Sequence, residues 1–434
     1  MTAPGLSIAV IGSGPSGLYA VDGLLRKLPG VRVDVIDRLP TPYGLVRGGV
    51  APDHQGTKAI VRQFGRTMGK EGVRFLGNVE VGRDVSVDEL KGLYDAVVVA
   101  LGAYEDRRLG IPGEDLPGVH GSWSFVGWYN GHPDFAGLNP DLSRPGAVVI
   151  GNGNVALDVC RILAKTGGEL ALSDIAPAAL AAIQAGAQGD IFLAGRRGPV
   201  EAAFTPAELG ELGHLSRARP VVDAVVLPEG VGDVDGREKP FKEKNLELLR
   251  GFAAGDGDQP RRIHMLFWAA PVAILGTDRV EGVRFERTRL EGGRAVGTGE
   301  TFDVAAGLVV SAIGYRTAPL DGLPMDGGVV ANADGRVAPG VYAVGWAKRG
   351  PSGTIPTNRA DSLAVVDLMA ADLADAAGGK PGGAALDALL AERGARVVSF
   401  ADWEKIDAAE VAAATDPCPR VKFATVAEML AATD

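Results

Sequence analysis

The stretch from Ile8 to Asp37, IAVIGSGPSGLYAVDGLLRKLPGVRVDVID, decides the fold. Ile8, Ala9, Val10 and Ile11 form a short apolar strand that runs into Gly12-Ser13-Gly14-Pro15-Ser16-Gly17. Leu18, Val21, Leu24, Leu25 and Leu28 then recur at helical spacing, and Val31, Val33 and Val35 alternate as a second strand that ends on Asp37. In such a strand-turn-helix-strand unit the first glycine makes the tight turn and the second lets the backbone approach a pyrophosphate. The third lets the helix pack close to the strand, and the helix N-terminus offers its free N–H groups and positive dipole end to the phosphates. A carboxylate about 20 residues on, here Asp37, is suited to a ribose hydroxyl.

Working outward, a second unit begins at Ala147, AVVIGNGNVALDVCRILA. Its turn, Gly151-Asn152-Gly153-Asn154-Val155-Ala156, carries alanine in place of the third glycine, which the fingerprint tolerates. Two such units imply two dinucleotides. The next strand, Ile191 to Ala194, finishes on Gly195-Arg196-Arg197-Gly198 with no acid at its tip. Paired guanidinium groups suit a 2'-phosphate that a carboxylate would repel. The first site therefore suits the adenosine of FAD and the second suits NADP.

Between these units, RLPTPYGLVRGGVAPDH is a long loop with Arg47, Asp53 and His54 as polar candidates; from the residues alone His54 is either a loop cap or a working group. YDAVVVALGA, from Tyr94 to Ala103, reads as a buried strand closing on the Gly102 turn, and DRRLGIPGEDLP from Asp106 marks a crossover into the second domain. Leu308 to Gly314 repeats the texture of that strand and is expected to mark the return to the first domain. Glu208 and Glu211 lie one turn apart on a short helix, and Lys239, Lys242, Lys244 and Arg250 on a longer one. GVYAVGWAKRGPSGTIPTN, from Gly340, places Trp346 one residue past a strand-end glycine, well set to stack on a planar ring.

Composition narrows the function further. A net charge of -10 argues against general nucleic-acid or anionic-membrane binding. The 2 cysteines, Cys160 and Cys418, supply no CxxC pair, no cluster ligation and no zinc set, so no metal is expected. With no signal peptide and no membrane-length apolar run, the expected setting is cytoplasmic.

Taken together, GSGPSG from Gly12, LPTPYGLVRGGVAPDH ending at His54, IPGEDLPG from Ile111, FVGWYNGHPDF from Phe125, GNGNVALDV from Gly151, GRRGP from Gly195 and VGWAKRGPSGTIPTN from Val344 resemble the adrenodoxin-reductase type of ferredoxin-NADP reductase. The resemblance implies an α/β, glutathione-reductase-like fold of two Rossmann-like domains. The FAD domain would span residues 1–105 and 311–434, the latter with a helical tail, and the NADP domain, 106–310, would be inserted in it. It implies FAD contacts at Gly12, Ser13, Gly14, Pro15, Ser16, Gly17, Asp37, Leu45, Val81, Gly102, Trp346, Gly353, Thr354 and Ile355. NADP contacts are implied at Arg107, Asn152, Gly153, Asn154, Val155, Arg196, Arg197, Glu208 and Gly353, with His54 and Glu211 as the catalytic pair around flavin and nicotinamide. Pro356 departs from the expected glycine and removes one backbone donor. The expected activity passes a hydride from NADPH to FAD and single electrons to a separate ferredoxin, for which the basic run from Lys239 to Arg250 is the candidate docking face. The enzyme is expected to be a monomer. A flavin monooxygenase, a disulfide reductase and a non-turning-over redox sensor are the alternatives.

Overall fold

In the computed structural model, which describes residues 5–434 apart from 188, 235 and 237, the opening strand β1 (Ser7–Ile11) is buried along its whole length. Helix α1 (Pro15–Lys27) starts with proline, whose fixed φ suits the first turn and whose missing N–H costs nothing there. Arg26 and Lys27 in its last turn favour the dipole. The chain continues through β2 (Arg32–Ile36), β3 (Val73–Leu76) and β4 (Ala96–Val99). It then makes β5 (Val119–Gly121), β6 (Ala147–Ile150), helix α2 (Asn154–Ala164), β7 (Ile191–Ala194), helix α3 (Pro206–Glu211) and β8 (Ala218–Val221). Helix α4 (Lys239–Ala254) leads to β9 (Arg261–Leu266), β10 (Ala269–Leu275), β11 (Gly282–Glu291), β12 (Arg294–Ala305) and β13 (Leu308–Ser311). Last come β14 (Arg336–Ala338), β15 (Val341–Ala343), helix α5 (Ile355–Asp372) and helix α6 (Phe400–Ala412).

Two compact units result. One combines the chain up to Glu105 with Asn130–Ala136 and Tyr315–Asp434; the other is Asp106–Tyr129 with Gly137–Gly314. The first holds a six-stranded sheet in the order β14-β15-β4-β1-β2-β3, parallel except for the β14-β15 pair. The second holds a six-stranded parallel sheet, β5-β13-β6-β7-β9-β8, and a three-stranded antiparallel sheet, β10-β11-β12. Each six-stranded sheet is a Rossmann-like dinucleotide-binding fold, and the second is inserted into the chain of the first.

Strands buried on both faces read as continuous Val/Ile/Ala runs, which is why β1, β4 and β13 look alike in sequence. That likeness misleads at one point. β13 pairs with β6 and β5, so Leu308–Ser311 closes the second sheet and does not mark the return to the first. Ile8, Val10, Leu18, Val21 and Leu24 are fully buried between the first sheet and α1, each contributing about 1.5–3 kcal/mol of apolar burial. No helix among the described residues is long and apolar enough to cross a membrane.

The helical tail, in which the sequence shows no chemistry, is tied into the first unit by charge. Glu410 of α6 is fully buried and accepts both arms of the Arg47 guanidinium and the Phe423 N–H, 2.9 Å away. Arg47 also lies over the Trp403 ring, 5.2 Å from its centroid. Its place is thus structural. Next to it His132 is buried, with Nδ1 accepting the Asp134 N–H at 3.2 Å. Burial, with Arg38, Arg47 and Lys422 nearby, pushes its pKa down to about 4 against the pull of Asp134.

Candidate dinucleotide sites

In each six-stranded sheet the glycine turn lies at the carboxyl end of a central strand, beside the point where strand order reverses, which is where such sheets bind ligands. Gly12 has φ +108°, and a Cβ there would sit 2.4 Å from the Ala100 carbonyl oxygen. Only glycine fits. By contrast, a Cβ on Gly14 would meet nothing nearer than the Gly44 Cα at 4.0 Å, so the turn is open where a phosphate would approach. Gly14 caps α1 in extended conformation with no side-chain acceptor, leaving the first-turn N–H groups uncapped by side chains. These features fit a pyrophosphate.

Asp37, at the tip of β2, turns toward this loop. Its Oδ2 accepts the Ser13 N–H at 2.9 Å and the Ser13 hydroxyl, while Oδ1 accepts the Leu39 N–H at 3.0 Å. The Ser16 carbonyl accepts the Ser362 hydroxyl of α5 at 2.9 Å, fastening the later part of the chain to the turn. Leu45 opens the short helix Leu45–Gly48, Val81 lies in a turn bridged to Val85, and the Gly102 carbonyl accepts the Thr317 hydroxyl at 2.8 Å. Trp346 begins the short helix Trp346–Arg349; its indole N–H donates to the Ser352 carbonyl at 3.0 Å and its ring stacks against Tyr315 at 6.4 Å. Gly353, Thr354 and Ile355 lead into α5, which Thr354 caps together with Thr357. Pro356 occupies the opening turn of that helix, where a proline does not interrupt the hydrogen-bond ladder. His54 caps the short helix Gln55–Lys58 and is half-buried; its N–H donates to the Ala51 carbonyl at 3.0 Å.

The second turn repeats the construction. Gly151 has φ +144° and a Cβ there would lie 2.3 Å from the Ala312 carbonyl oxygen, whereas Gly153 faces open space and caps α2 without a side-chain acceptor. The turn is braced from one side: the Asn152 carbonyl accepts the Ala203 N–H and the Asn154 Oδ1 accepts the Thr205 N–H, both at 2.8 Å. Val155 lies in the first turn of α2. Past β7, Arg196 and Arg197 are exposed, a geometry that fits a solvent-borne phosphate group. Arg107 is exposed too, its N–H donating to the Gly314 carbonyl at 3.1 Å.

Glu208 and Glu211 of α3 share one partner that the sequence reading passes over. Arg161, on the buried face of α2, is fully enclosed and reaches Glu208 at 3.3 Å, Glu211 at 3.1 Å and Asp158 at 2.7 Å. Arg161 faces three carboxylates, so removing the arginine strips all three acids of this partner, at a cost of about 3–5 kcal/mol, whereas removing a single acid leaves Arg161 paired with the other two. The one available signal is a lone arginine inside the apolar run Val159-Cys160-Arg161-Ile162-Leu163. The basic run of α4 does not present four free cations. Lys242 donates to the Ala202 carbonyl at 2.6 Å, and burial lowers its pKa. Arg250 holds the carbonyls of Pro228 and Glu229, and Lys244 pairs with Glu247 at 2.9 Å.

A family model described as pyridine nucleotide-disulphide oxidoreductase matches residues 6–189. The human mitochondrial NADPH:adrenodoxin oxidoreductase is 44% identical across 98% of this chain and 91% of its own length. The NADPH-ferredoxin reductase FprA of Mycobacterium tuberculosis is 43% identical across 98% of both. The solved structure of Mycobacterium tuberculosis FprA in complex with NADPH matches with a TM-score of 0.93 at 42% identity, covering 99% of each chain.

Proposed function

The chain belongs to the family of NADPH-dependent adrenodoxin and ferredoxin reductases, and from that premise we propose that it carries electrons from NADPH through FAD to a ferredoxin-type iron-sulfur protein. When bound, FAD supplies the chemistry, accepting a hydride and passing electrons on one at a time. The residues of this chain bind and orient. The Gly12–Gly17 turn would hold the FAD pyrophosphate with Asp37 on the ribose, and Leu45, Val81, Gly102, Trp346 and Gly353–Ile355 would line the rest of that cofactor. Asn152–Val155 would hold the NADP pyrophosphate, with Arg196, Arg197 and Arg107 as the cationic contacts. Glu208 would stand at the same nucleotide, tied to Arg161. His54 and Glu211 would hold or release a proton near the reacting rings. The observation that carries this reading is the unlike pair of strand ends: an acid folded back on the first turn and two exposed arginines beside the second.

The partner is a separate ferredoxin, and the enzyme works as a monomer in the cytoplasm. The test is anaerobic stopped-flow absorbance of the yellow protein with NADPH or NADH, then with oxidised ferredoxin. Fast bleaching by NADPH, slower bleaching by NADH and flavin reoxidation as ferredoxin is reduced are the expected traces. Bleaching without ferredoxin reduction would point to another acceptor, and no bleaching would end the reductase reading in favour of a sensor.

A further inference from the structure

The two arginines at the end of β7 are exposed, yet the backbone that carries them is held at three consecutive carbonyls. Gly195 O accepts the Ala269 N–H at 2.9 Å and Arg197 O accepts the Trp268 N–H at 3.2 Å. Between them Arg196 O accepts the Thr288 hydroxyl at 2.8 Å. The three donors come from the segment around β10 and from β11, which are themselves locked together because Thr288 N–H donates to the Trp268 carbonyl at 3.0 Å. The Trp268 ring lies close against the loop: a Cβ at Gly198 would fall 2.2 Å from its Cζ2. Thr288 is 8% exposed, so its hydroxyl holds this bond out of competition with water. Of the three donors only the Thr288 hydroxyl belongs to a side chain.

A bidentate guanidinium contact demands a fixed backbone origin, because the side chain's own freedom already opposes binding. Resting on the proposed reading of Arg196 and Arg197, we infer that Thr288 is a positioning residue for nucleotide selectivity: its hydroxyl sets the Arg196–Arg197 peptide so that both side chains meet a 2'-phosphate. The antiparallel sheet thereby serves recognition from outside the dinucleotide fold.

The test is calorimetric titration of the FAD-loaded full-length protein with 2',5'-ADP and with 5'-AMP, which differ in the group in question. Thr288→Val is expected to weaken 2',5'-ADP about fivefold, the worth of one neutral hydrogen bond, and to leave 5'-AMP unchanged. Thr288→Ser is expected to restore binding, since it returns the hydroxyl. In steady-state assays the same valine variant should raise KM for NADPH with kcat and KM for NADH held. Equal weakening of both nucleotides, or none, would overturn the inference alone. The double variant Arg196→Ala/Arg197→Ala separates the premise: if it binds 2',5'-ADP as the wild type does, the arginine assignment fails and the inference with it.

Discussion

The Gly12 and Gly151 turns share a construction and differ in what the following strand brings to them. At the first, Asp37 folds back onto Ser13, so the acid braces the loop it serves. At the second, the bracing falls to the backbone of the 203–205 segment and to Trp268 and Thr288, which leaves Arg196 and Arg197 exposed. The first turn is braced by the acid of its own unit as well as by Ser362 and the Tyr43 N–H, while the second, among the described residues, has no such acid and takes its bracing from later segments. A phosphate-binding turn is therefore a generic part; its selectivity lies in residues that approach from other elements.

The largest effect expected from breaking this comparison is at the glycines themselves. Gly12→Ala forces a methyl group against the Ala100 carbonyl at a backbone angle that alanine disfavours, and Gly151→Ala does the same against Ala312. Overpacking and the left-handed conformation together cost several kcal/mol, on the order of a hundredfold or more in affinity. Gly12→Ala should purify with little bound flavin, read from the ratio of visible to ultraviolet absorbance. Gly151→Ala should purify yellow but bleach with NADPH only at about a hundredfold higher concentration. Two variants with the same phenotype would erase the distinction between the turns.

Much of this organisation is legible in the sequence because it is local. The glycine spacing, the apolar periodicity of α1 and α2, and the contrast between Asp37 and Arg196–Arg197 all fall within single strand-turn-helix-strand stretches. What is not legible depends on distant pairing. Glu410 meets Arg47 across 363 residues, Thr288 meets Arg196 across 92, and Arg161 meets Glu208 across 47. Each is an ordinary polar residue until its partner is known. The assignment of Leu308–Ser311 fails for the same reason: a buried parallel strand has one texture whichever sheet receives it. The basic run on α4 shows the limit of charge counting, since Lys242 and Arg250 are drawn to backbone carbonyls.

Each unit also holds a histidine on which acid should act. Burial lowers the pKa of His120 in the second, while His132 in the first is pushed down to about 4 by burial and by neighbouring cations. A histidine whose folded pKa lies below its unfolded value binds protons preferentially when unfolded. Its contribution is therefore whole above about pH 6.5 and is lost as pH falls from there toward 4. By pH 5 the loss is about 2 kcal/mol. Urea midpoints followed by flavin fluorescence, a probe of the first unit, should fall between pH 7.5 and 5. His132→Gln, which cannot titrate, should flatten that slope, and equal slopes in the two proteins would place the acid sensitivity elsewhere.

The smallest effect tests the bracing role of Asp37. Its Oδ2 carries both Ser13 bonds and its Oδ1 carries the Leu39 N–H, yet a carboxylate oxygen has two lone pairs, so Oδ1 retains capacity for a ribose hydroxyl. Asp37→Asn keeps the volume, removes the charge and turns one acceptor into a donor facing an N–H. Ser13→Ala removes the hydroxyl bond but leaves the Asp37 charge and the Ser13 N–H in place. If Asp37 both braces the turn and holds the ribose, Asp37→Asn should weaken FAD about tenfold, because it disturbs the ribose contact and the loop bonds together, and Ser13→Ala only about threefold, because it removes one loop bond and leaves the carboxylate free to meet the ribose. The comparison is read by titrating FAD into the apoprotein. Equal losses would mean that the acid serves only the loop, and the first site would then be selective by shape rather than by charge, widening its contrast with the arginine-bearing second.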